Sequence, residues 1–277
     1  MFGMSSAHTP KHTAWVLGAS EGLGAAFAWE LAERDYGVLL VARRGEVLKR
    51  LAAEIDARHG ARTQVLALDL STSDAPAQLA AIGVPDLVVY NAAMVPKGAF
   101  ATTSPDALRN LVEVNVATPL LLLNNIVGPM IERGSGDIVL MSSLAGHQGA
   151  PGIAGYAASK AFNSILAEGL WHELGQNTVV RIVACDAGAI STPGLAALDL
   201  PDAPGTMTPK AVARAALDGL NRGPKVIPGW INKVGNIVLG RLLPKRWSIA
   251  IMAKNTASLL LEEDKNSAPP SEEKGHH

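Results

Sequence analysis

The chain has 277 residues, 48% of them hydrophobic and 18% charged, with 27 Gly, one Cys and a net charge of -1. That much apolar mass excludes an intrinsically disordered chain, and the near-zero charge removes any global electrostatic case for a nucleic-acid partner. The lone thiol, Cys185, excludes an internal disulfide framework and suits a reducing, cytoplasmic compartment.

Residues 1–12 have no apolar core and read as a flexible lead rather than a secretory signal. Short apolar runs then alternate with helical patterns. Runs at 13–18, 38–42, 65–68, 87–90, 138–141 and 179–184 have the length of buried strands. Helical stretches fall at 22–34, 45–59, 75–82, 105–132 and 155–176. Strand-length runs so spaced predict βαβ units, whose parallel strands are covered on both faces. Ser104-Pro105 supplies a cap and a first-turn proline for the long helix. The most apolar long window, 111–131, carries Glu113, Asn115, Pro119, Asn124 and Asn125, so it is not read as a transmembrane span. No linker or internal repeat interrupts the series. The expectation is one α/β domain over 13–261, a doubly wound parallel sheet, with a flexible tail at 262–277.

Gly18-Ala19-Ser20-Glu21-Gly22-Leu23-Gly24 lies where the first strand meets the first helix. Glycines there permit positive φ and close approach of the backbone to a pyrophosphate. The helix N-terminus adds free N–H groups and partial positive charge. Glycine can serve merely to turn the chain, but its place after the first strand of a βαβ series favours phosphate binding. At the end of the second strand, Ala42-Arg43-Arg44 offers no acid for a ribose 2′-hydroxyl. Arg43 can instead present a planar fork to a 2′-phosphate. The alternative is a solvated arginine pair, at a helix start where cations are mildly unfavourable. NADP(H) is therefore expected ahead of NAD(H).

Tyr156 and Lys160 stand at i and i+4, so on a helix they share one face. A phenol ordinarily titrates near 10. An ammonium about 4 Å away contributes roughly 4 kcal/mol at an effective dielectric of about 20. That would draw the phenol toward the working range of a general acid or base. Ser143, just past the strand at 138–141, can hydrogen-bond a carbonyl oxygen and steady a developing alkoxide. A Tyr–Lys pair alone is more often surface decoration; its weight comes from its neighbours.

Those neighbours form a series: Gly18-x-x-x-Gly22-x-Gly24, Asp69-Leu70, Asn91-Ala92-Ala93, Asn115, Ser143 and Tyr156-x-x-x-Lys160. In this order, with Ser143 13 residues before Tyr156, the chain resembles the short-chain dehydrogenase/reductase family over roughly residues 13–227. The resemblance implies a Rossmann fold and hydride exchange between a nicotinamide and a carbonyl or alcohol. It implies Tyr156 as proton donor and acceptor, Ser143 as substrate positioner, and Lys160 as the group that holds the nicotinamide ribose and tunes Tyr156. Asn115 would help hold a water linking Lys160 to solvent. Gly18, Ser20, Gly22, Leu23 and Gly24 would cradle the cofactor, while Asp69 and Leu70 meet the adenine and Asn91 and Ala92 line its path. Ile190 would reach the carboxamide through its backbone. Asn91 and Asn115 can equally cap a turn and a helix. Three positions depart from the family pattern: Leu17 for a usual threonine, Glu21 where NADP-preferring relatives often carry a base, and Ala187-Gly188 for Pro-Gly.

His147 reads as a loop histidine or a border of the substrate site, and Cys185 as core. His59 and His172 lack metal-ligand spacing, so no metal is expected. Phe162, Ile165, Leu166, Leu170 and Trp171 are core or a subunit contact, and the resemblance implies a homodimer or homotetramer. Leu195, Leu198 and Leu200, in a mobile 189–208 loop, suggest an apolar substrate. A helix at 209–221 and a strand at 225–227 follow. From 219 through 261 there are seven Lys or Arg and no Asp or Glu. Within it, Ile231, Val234, Val238 and Leu242 fall at helical spacing until Pro244 breaks the run. This 229–261 extension is read as extra C-terminal helices covering the pocket or an oligomer interface, ahead of weak peripheral membrane contact. The expected function is an NADPH-dependent carbonyl reductase, running in reverse as an alcohol dehydrogenase, on an apolar ketone, aldehyde or secondary alcohol. A catalytically silent NADP(H)-sensing protein on the same fold is the alternative, which the intact Ser–Tyr–Lys set disfavours.

Overall fold

The computed structural model describes residues 11–175, 179–191 and 204–266, side chains at 255 and 257–266 apart. The six apolar runs and the stretch expected at 225–227 become strands: β1 (His12–Leu17), β2 (Tyr36–Ala42), β3 (Thr63–Ala67), β4 (Leu87–Tyr90), β5 (Gly136–Ser143), β6 (Val180–Ala187) and β7 (Lys225–Val226). All pair in parallel, in the order β3-β2-β1-β4-β5-β6-β7. The helices are α1 (Gly22–Glu33), α2 (Gly45–His59), α3 (Ala75–Ile82), α4 (Pro105–Val112), α5 (Thr118–Arg133), α6 (Ala154–Gly175), α7 (Pro209–Gly219), α8 (Trp230–Ile237) and α9 (Lys245–Asn266).

Alternate residues of each strand enter opposite cores. Ala14 and Val16 join Phe27 and Leu31 of α1, Leu48 and Ile55 of α2 and Val212 of α7. Trp15 and Leu17 join Leu79 of α3 and Leu122, Ile126 and Met130 of α5. Both faces are covered, which is why the strands read as unbroken apolar runs. The doubly wound α/β expectation holds.

Several boundaries move, for local reasons. The helix expected at 105–132 is divided by a wider π turn, Glu113–Ala117, between α4 and α5. Ser104 caps α4 as expected, its side chain accepting from the Ala107 N–H at 3.2 Å. The whole run Pro105–Arg133 is long and apolar enough to cross a membrane by length and composition. Its Leu122, Ile126 and Met130 are, however, fully buried against the sheet. Ser143 is the last residue of β5 rather than a residue beyond it, because pairing with β6 continues through Ser142↔Asp186 and Ser143↔Ala187. His12, placed in the lead by sequence, pairs with Tyr36 and opens β1. At the other end, α9 runs to Asn266, past the expected tail boundary at 261. Leu259 to Glu263 are strong helix formers, and the breaking pair Pro269-Pro270 comes only later.

The extension turns two different faces to the rest of the chain. On α8 and the π turn after it, Val238–Leu242, the apolar stripe points outward: Trp230 is 74% exposed and Leu242 69%, with Val234 and Ile237 between them. The inward residue is Asn232, whose Nδ2 donates to the Gly205 and Pro228 carbonyls at 3.0 and 2.9 Å. After Pro244, α9 leans on the segment between Ser143 and Tyr156. Lys245 Nζ donates to the His147 carbonyl at 2.7 Å, and Met252 packs beside Tyr156 against Ala150 and Ile153. Leu195, Leu198 and Leu200 lie outside the described residues.

Candidate active site

The strand order reverses between β1 and β4, and open parallel sheets bind ligands beyond the strand ends at such a point. A cavity of about 550 Å³ lies there, lined by Gly18, Ser20, Arg43, Asp69, Leu70, Asn91 and Ala92 among the expected cofactor residues. Gly22, Leu23 and Gly24 begin α1 beneath it; the Leu23 side chain belongs to the core. Gly18 has φ +84, and a Cβ on it would meet the Ala92 Cα at 2.7 Å. A Cβ on Gly24 would fall 1.9 Å from the Gly18 carbonyl oxygen. Both glycines are therefore required by the packing of the turn. The first turn of α1 carries no acid, and Glu21 at its N-cap makes no side-chain bond to its N–H groups, which leaves them to an anion. Glycine cradle, helix N-terminus and cavity together fit the diphosphate of a dinucleotide.

The missing threonine before Gly18 is made good elsewhere. Gly18 and Ala19 N–H groups donate to the Val41 carbonyl at 2.8 and 3.1 Å. Asn91 Nδ2 donates to the Gly18 carbonyl at 3.0 Å, so Asn91 braces the turn from β4. Of the two arginines after β2, Arg44 is committed: its guanidinium donates to Ser20 Oγ at 2.9 Å and pairs with Glu21 at 2.8 Å. Glu21, the acid that sits awkwardly beside a phosphate, is thus matched by a cation. Sequence alone singled out Arg43 and missed this role for Arg44. Arg43 lines the cavity, and among the described residues its guanidinium makes no hydrogen bond or ion pair. Asp69 accepts from the Ser71 N–H and hydroxyl at 2.9 and 2.8 Å. The bond from the Ser71 backbone is the main cause that holds its carboxyl below the usual range.

Next to β4 the sheet places β5, and at its end the expected catalytic set comes together. The Ser143 side chain stands close to the Tyr156 phenol, and its Oγ accepts from the Ala145 N–H at 3.2 Å. Lys160, only 3% exposed, lies over the Tyr156 ring with Nζ 5.6 Å from the centroid. Its Nζ donates to the Met141 carbonyl at 2.7 Å, and Ser142 Oγ donates back to the Lys160 carbonyl at 2.7 Å. These two bonds lock α6 onto β5. The expected lowering of the phenol by Lys160 is corrected here: burial pushes the Tyr156 phenol up, and the nearby Ser143 hydroxyl draws it only part of the way back. Burial also pushes Lys160 itself down, to about 8.

Asn115 sits fully buried on the π turn. Its Oδ1 accepts from the Met94 N–H at 2.7 Å, and its Nδ2 donates to the Met94 carbonyl and to Ser159 Oγ, each at 2.9 Å. It is a crosslink between the end of β4 and α6 rather than a helix cap. The turn at 113–117 is what aims it inward. Of the other tyrosines, Tyr90 is buried with its hydroxyl on the Val114 carbonyl at 2.6 Å, and Tyr36 begins β2, at the opposite end of the strands. Ile190 is bridged to Met207 through bonds made by Ala189 and Ser191, so its own N–H and C=O are not spent on the bridge. Cys185 is buried and burial pushes its thiol up, as for a core residue. His147 is no open-loop residue: it ends a short 3-10 turn, Leu144–His147, with Nε2 2.7 Å from Asp186 Oδ2. Among the described residues, no group of three or more His, Cys, Asp or Glu is placed to hold a metal.

The site thus offers a phenol, a second hydroxyl near it and a buried cation, next to the strand ends that hold the glycine-lined cavity. The short chain dehydrogenase family model matches residues 12–201. The chain is 36% identical over 189 residues to 7β-hydroxysteroid dehydrogenase of Clostridium sardiniense, covering 66% of this chain and 72% of that protein. The fold superposes on the bulky-bulky ketone specific alcohol dehydrogenase from Comamonas testosteroni with a TM-score of 0.72 and 25% identity, over 95% of this chain and 97% of that one. A short-chain dehydrogenase from Sphingobium yanoikuyae, solved in complex with NADPH, gives 0.73 and 25% over 94% and 98%. The chain belongs to the short-chain dehydrogenase family and is an NAD(P)-dependent oxidoreductase.

Proposed function

We propose that the protein is an NADPH-dependent carbonyl reductase, running in reverse as an alcohol dehydrogenase, on apolar ketones, aldehydes or secondary alcohols. The observation that carries this reading is the convergence of the Ser143 hydroxyl and the Tyr156 phenol beside the buried Lys160. A bound dihydronicotinamide supplies hydride to the substrate carbon. Ser143 donates a hydrogen bond to the substrate oxygen, and Tyr156 gives that oxygen its phenolic proton. The Lys160 ammonium over the ring stabilises the phenolate left behind. A phenol held above its ordinary value stays protonated at neutral pH, so reduction is the direction it serves there.

In this reading, Gly18, Ser20, Gly22, Leu23, Gly24, Asp69, Leu70, Asn91, Ala92 and the Ile190 backbone hold the dinucleotide, and Asn115 keeps β4 and α6 in register. Arg43 receives the 2′-phosphate, while the Arg44–Glu21 pair removes the local repulsion. The NADPH-bound relative supports that choice. An apolar substrate is supported by Ile153 and Met252 beside Tyr156, and by the hydroxysteroid and bulky-ketone relatives. One domain from β1 at His12 through α9 at Asn266, a cytoplasmic location and a homodimer or homotetramer complete the reading. The outward stripe on α8 then serves a subunit contact rather than a bilayer, and the protein is expected not to co-sediment with liposomes. A panel of ketones and aldehydes, bulky and steroidal ones included, read at the NADPH absorbance, tests the reading. NADPH consumption with at least one carbonyl is expected. A flat trace across the panel despite tight NADPH binding would replace it with the silent sensor.

A further inference from the structure

A carboxylate taken out of water costs several kcal/mol unless it is matched by charge and hydrogen bonds. Asp186, on β6, is fully buried, yet it lies outside the dinucleotide cavity and takes no part in the proton transfer. Its register partner across the sheet is Ser142, and the next pair along is Ala187 with Ser143. It therefore stands beside the strand end that carries Ser143. Three elements converge on it. His147 Nε2, from the turn directly after Ser143, is 2.7 Å from Oδ2. Ser164 Oγ, one helical turn beyond Lys160 on α6, donates to Oδ1 at 3.1 Å. Lys225 Nζ, on β7, lies 4.0 Å from Oδ2 while it pairs with Glu168 of α6. His147 is held a second time, through its carbonyl, by Lys245 of α9.

We infer that His147 and Asp186 form a clamp that positions Ser143 and Tyr156 for the reaction. The only covalent path between those two residues is the segment 144–155, and the clamp ties its first turn to β6 and, through Ser164, to the helix that carries Tyr156 and Lys160. Each Asp186 oxygen has its own donor, so the carboxylate rotamer is fixed and the imidazole is fixed with it. His147 and Asp186 are positioning residues; neither touches the reacting atoms. A displacement of the two hydroxyls by about 1 Å would cost on the order of 100-fold in rate. The clamp rests on the roles proposed above for Ser143 and Tyr156.

The test compares His147→Ala, His147→Gln and Tyr156→Phe in the full chain, with a carbonyl substrate found in the panel. His147 is only 17% exposed but borders the surface, so its replacement spares the core, unlike a change at Asp186. His147→Ala should lower kcat by roughly 30- to 100-fold, with KM and NADPH affinity close to those of the parent and a modest fall in Tm from the bond lost to Asp186. The Gln amide N–H can still reach Asp186, so His147→Gln should regain most of that loss. A kcat near the parent value in His147→Ala overturns the clamp. So does a loss that Gln fails to recover, one that merely follows NADPH affinity, or one accounted for by the unfolded fraction at the assay temperature. Tyr156→Phe separates the two levels: turnover retained there removes the catalytic roles themselves, whereas a silent Tyr156→Phe beside an unimpaired His147→Ala removes the clamp alone.

Discussion

Replacing Arg43 with Ala probes the cofactor preference at one side chain. Arg43 lines the dinucleotide cavity at the end of β2, where it is exposed and, among the described residues, unpaired. Its neighbour Arg44 is already spent on Ser20 and Glu21. Arg43 is therefore the cation that a 2′-phosphate would meet. A hydrogen bond to a charged group contributes about 1.5–3 kcal/mol, and solvent screening at an exposed site argues for the lower half of that range. At about 1.4 kcal/mol per factor of ten, the expected loss in NADPH affinity is roughly 10- to 40-fold. NADH lacks the phosphate and should bind as before. Arg44→Ala should weaken NADPH binding by a different route, because it leaves the Glu21 carboxylate uncompensated at the start of α1. Adding Glu21→Gln to that variant should then restore affinity. Fluorescence titrations with both cofactors at one ionic strength read all four proteins. Equal losses for NADPH and NADH in Arg43→Ala, or no loss at all, would refute the phosphate role.

Two further outcomes follow from the charged groups. Glu30, buried on α1, is pushed up by burial, but bonds from Arg214 and Arg34 outweigh this and hold its carboxyl below the usual range. A carboxyl so depressed contributes stability above its unfolded-state value and loses it as pH falls through the lower folded value. Glu30→Gln should therefore unfold at lower urea near neutrality, by about 1–3 kcal/mol, with the gap from the parent closing on acidification below about pH 4; an undiminished gap in acid would contradict this. Lys160 is an ammonium below about 8 and a neutral amine above it, so kcat/KM for carbonyl reduction should fall as pH rises through that value. A profile flat across that range would show that the ammonium is not needed.

The alternation of strands and helices was legible because the central strands are buried on both faces and the turn after β1 needs its glycines. What escaped the sequence is what depends on residues far apart in it. Ser142, Ser143 and Asp186 look like loop residues until parallel pairing between β5 and β6 carries the ladder through them. His147 finds Asp186 39 residues away, which no local pattern announces. The Arg-Arg doublet after β2 was visible, but the partition of its two members depended on Ser20 and Glu21 meeting Arg44 across the turn. On α8, period gave an apolar stripe without saying which way it faces. Asn232 goes inward because Gly188, Gly205 and Gly229 leave room for its amide; a Cβ on Gly188 or Gly205 would collide with it.

Proton transfer at Tyr156 is the centre of the account, and Tyr156→Phe isolates it by removing one oxygen while keeping the ring beneath Lys160. With an accepted carbonyl, NADPH oxidation should fall by at least about 100-fold while NADPH affinity stays within a few-fold of the parent. Turnover at the parent rate with normal NADPH binding would contradict the assignment of Tyr156 as the proton donor.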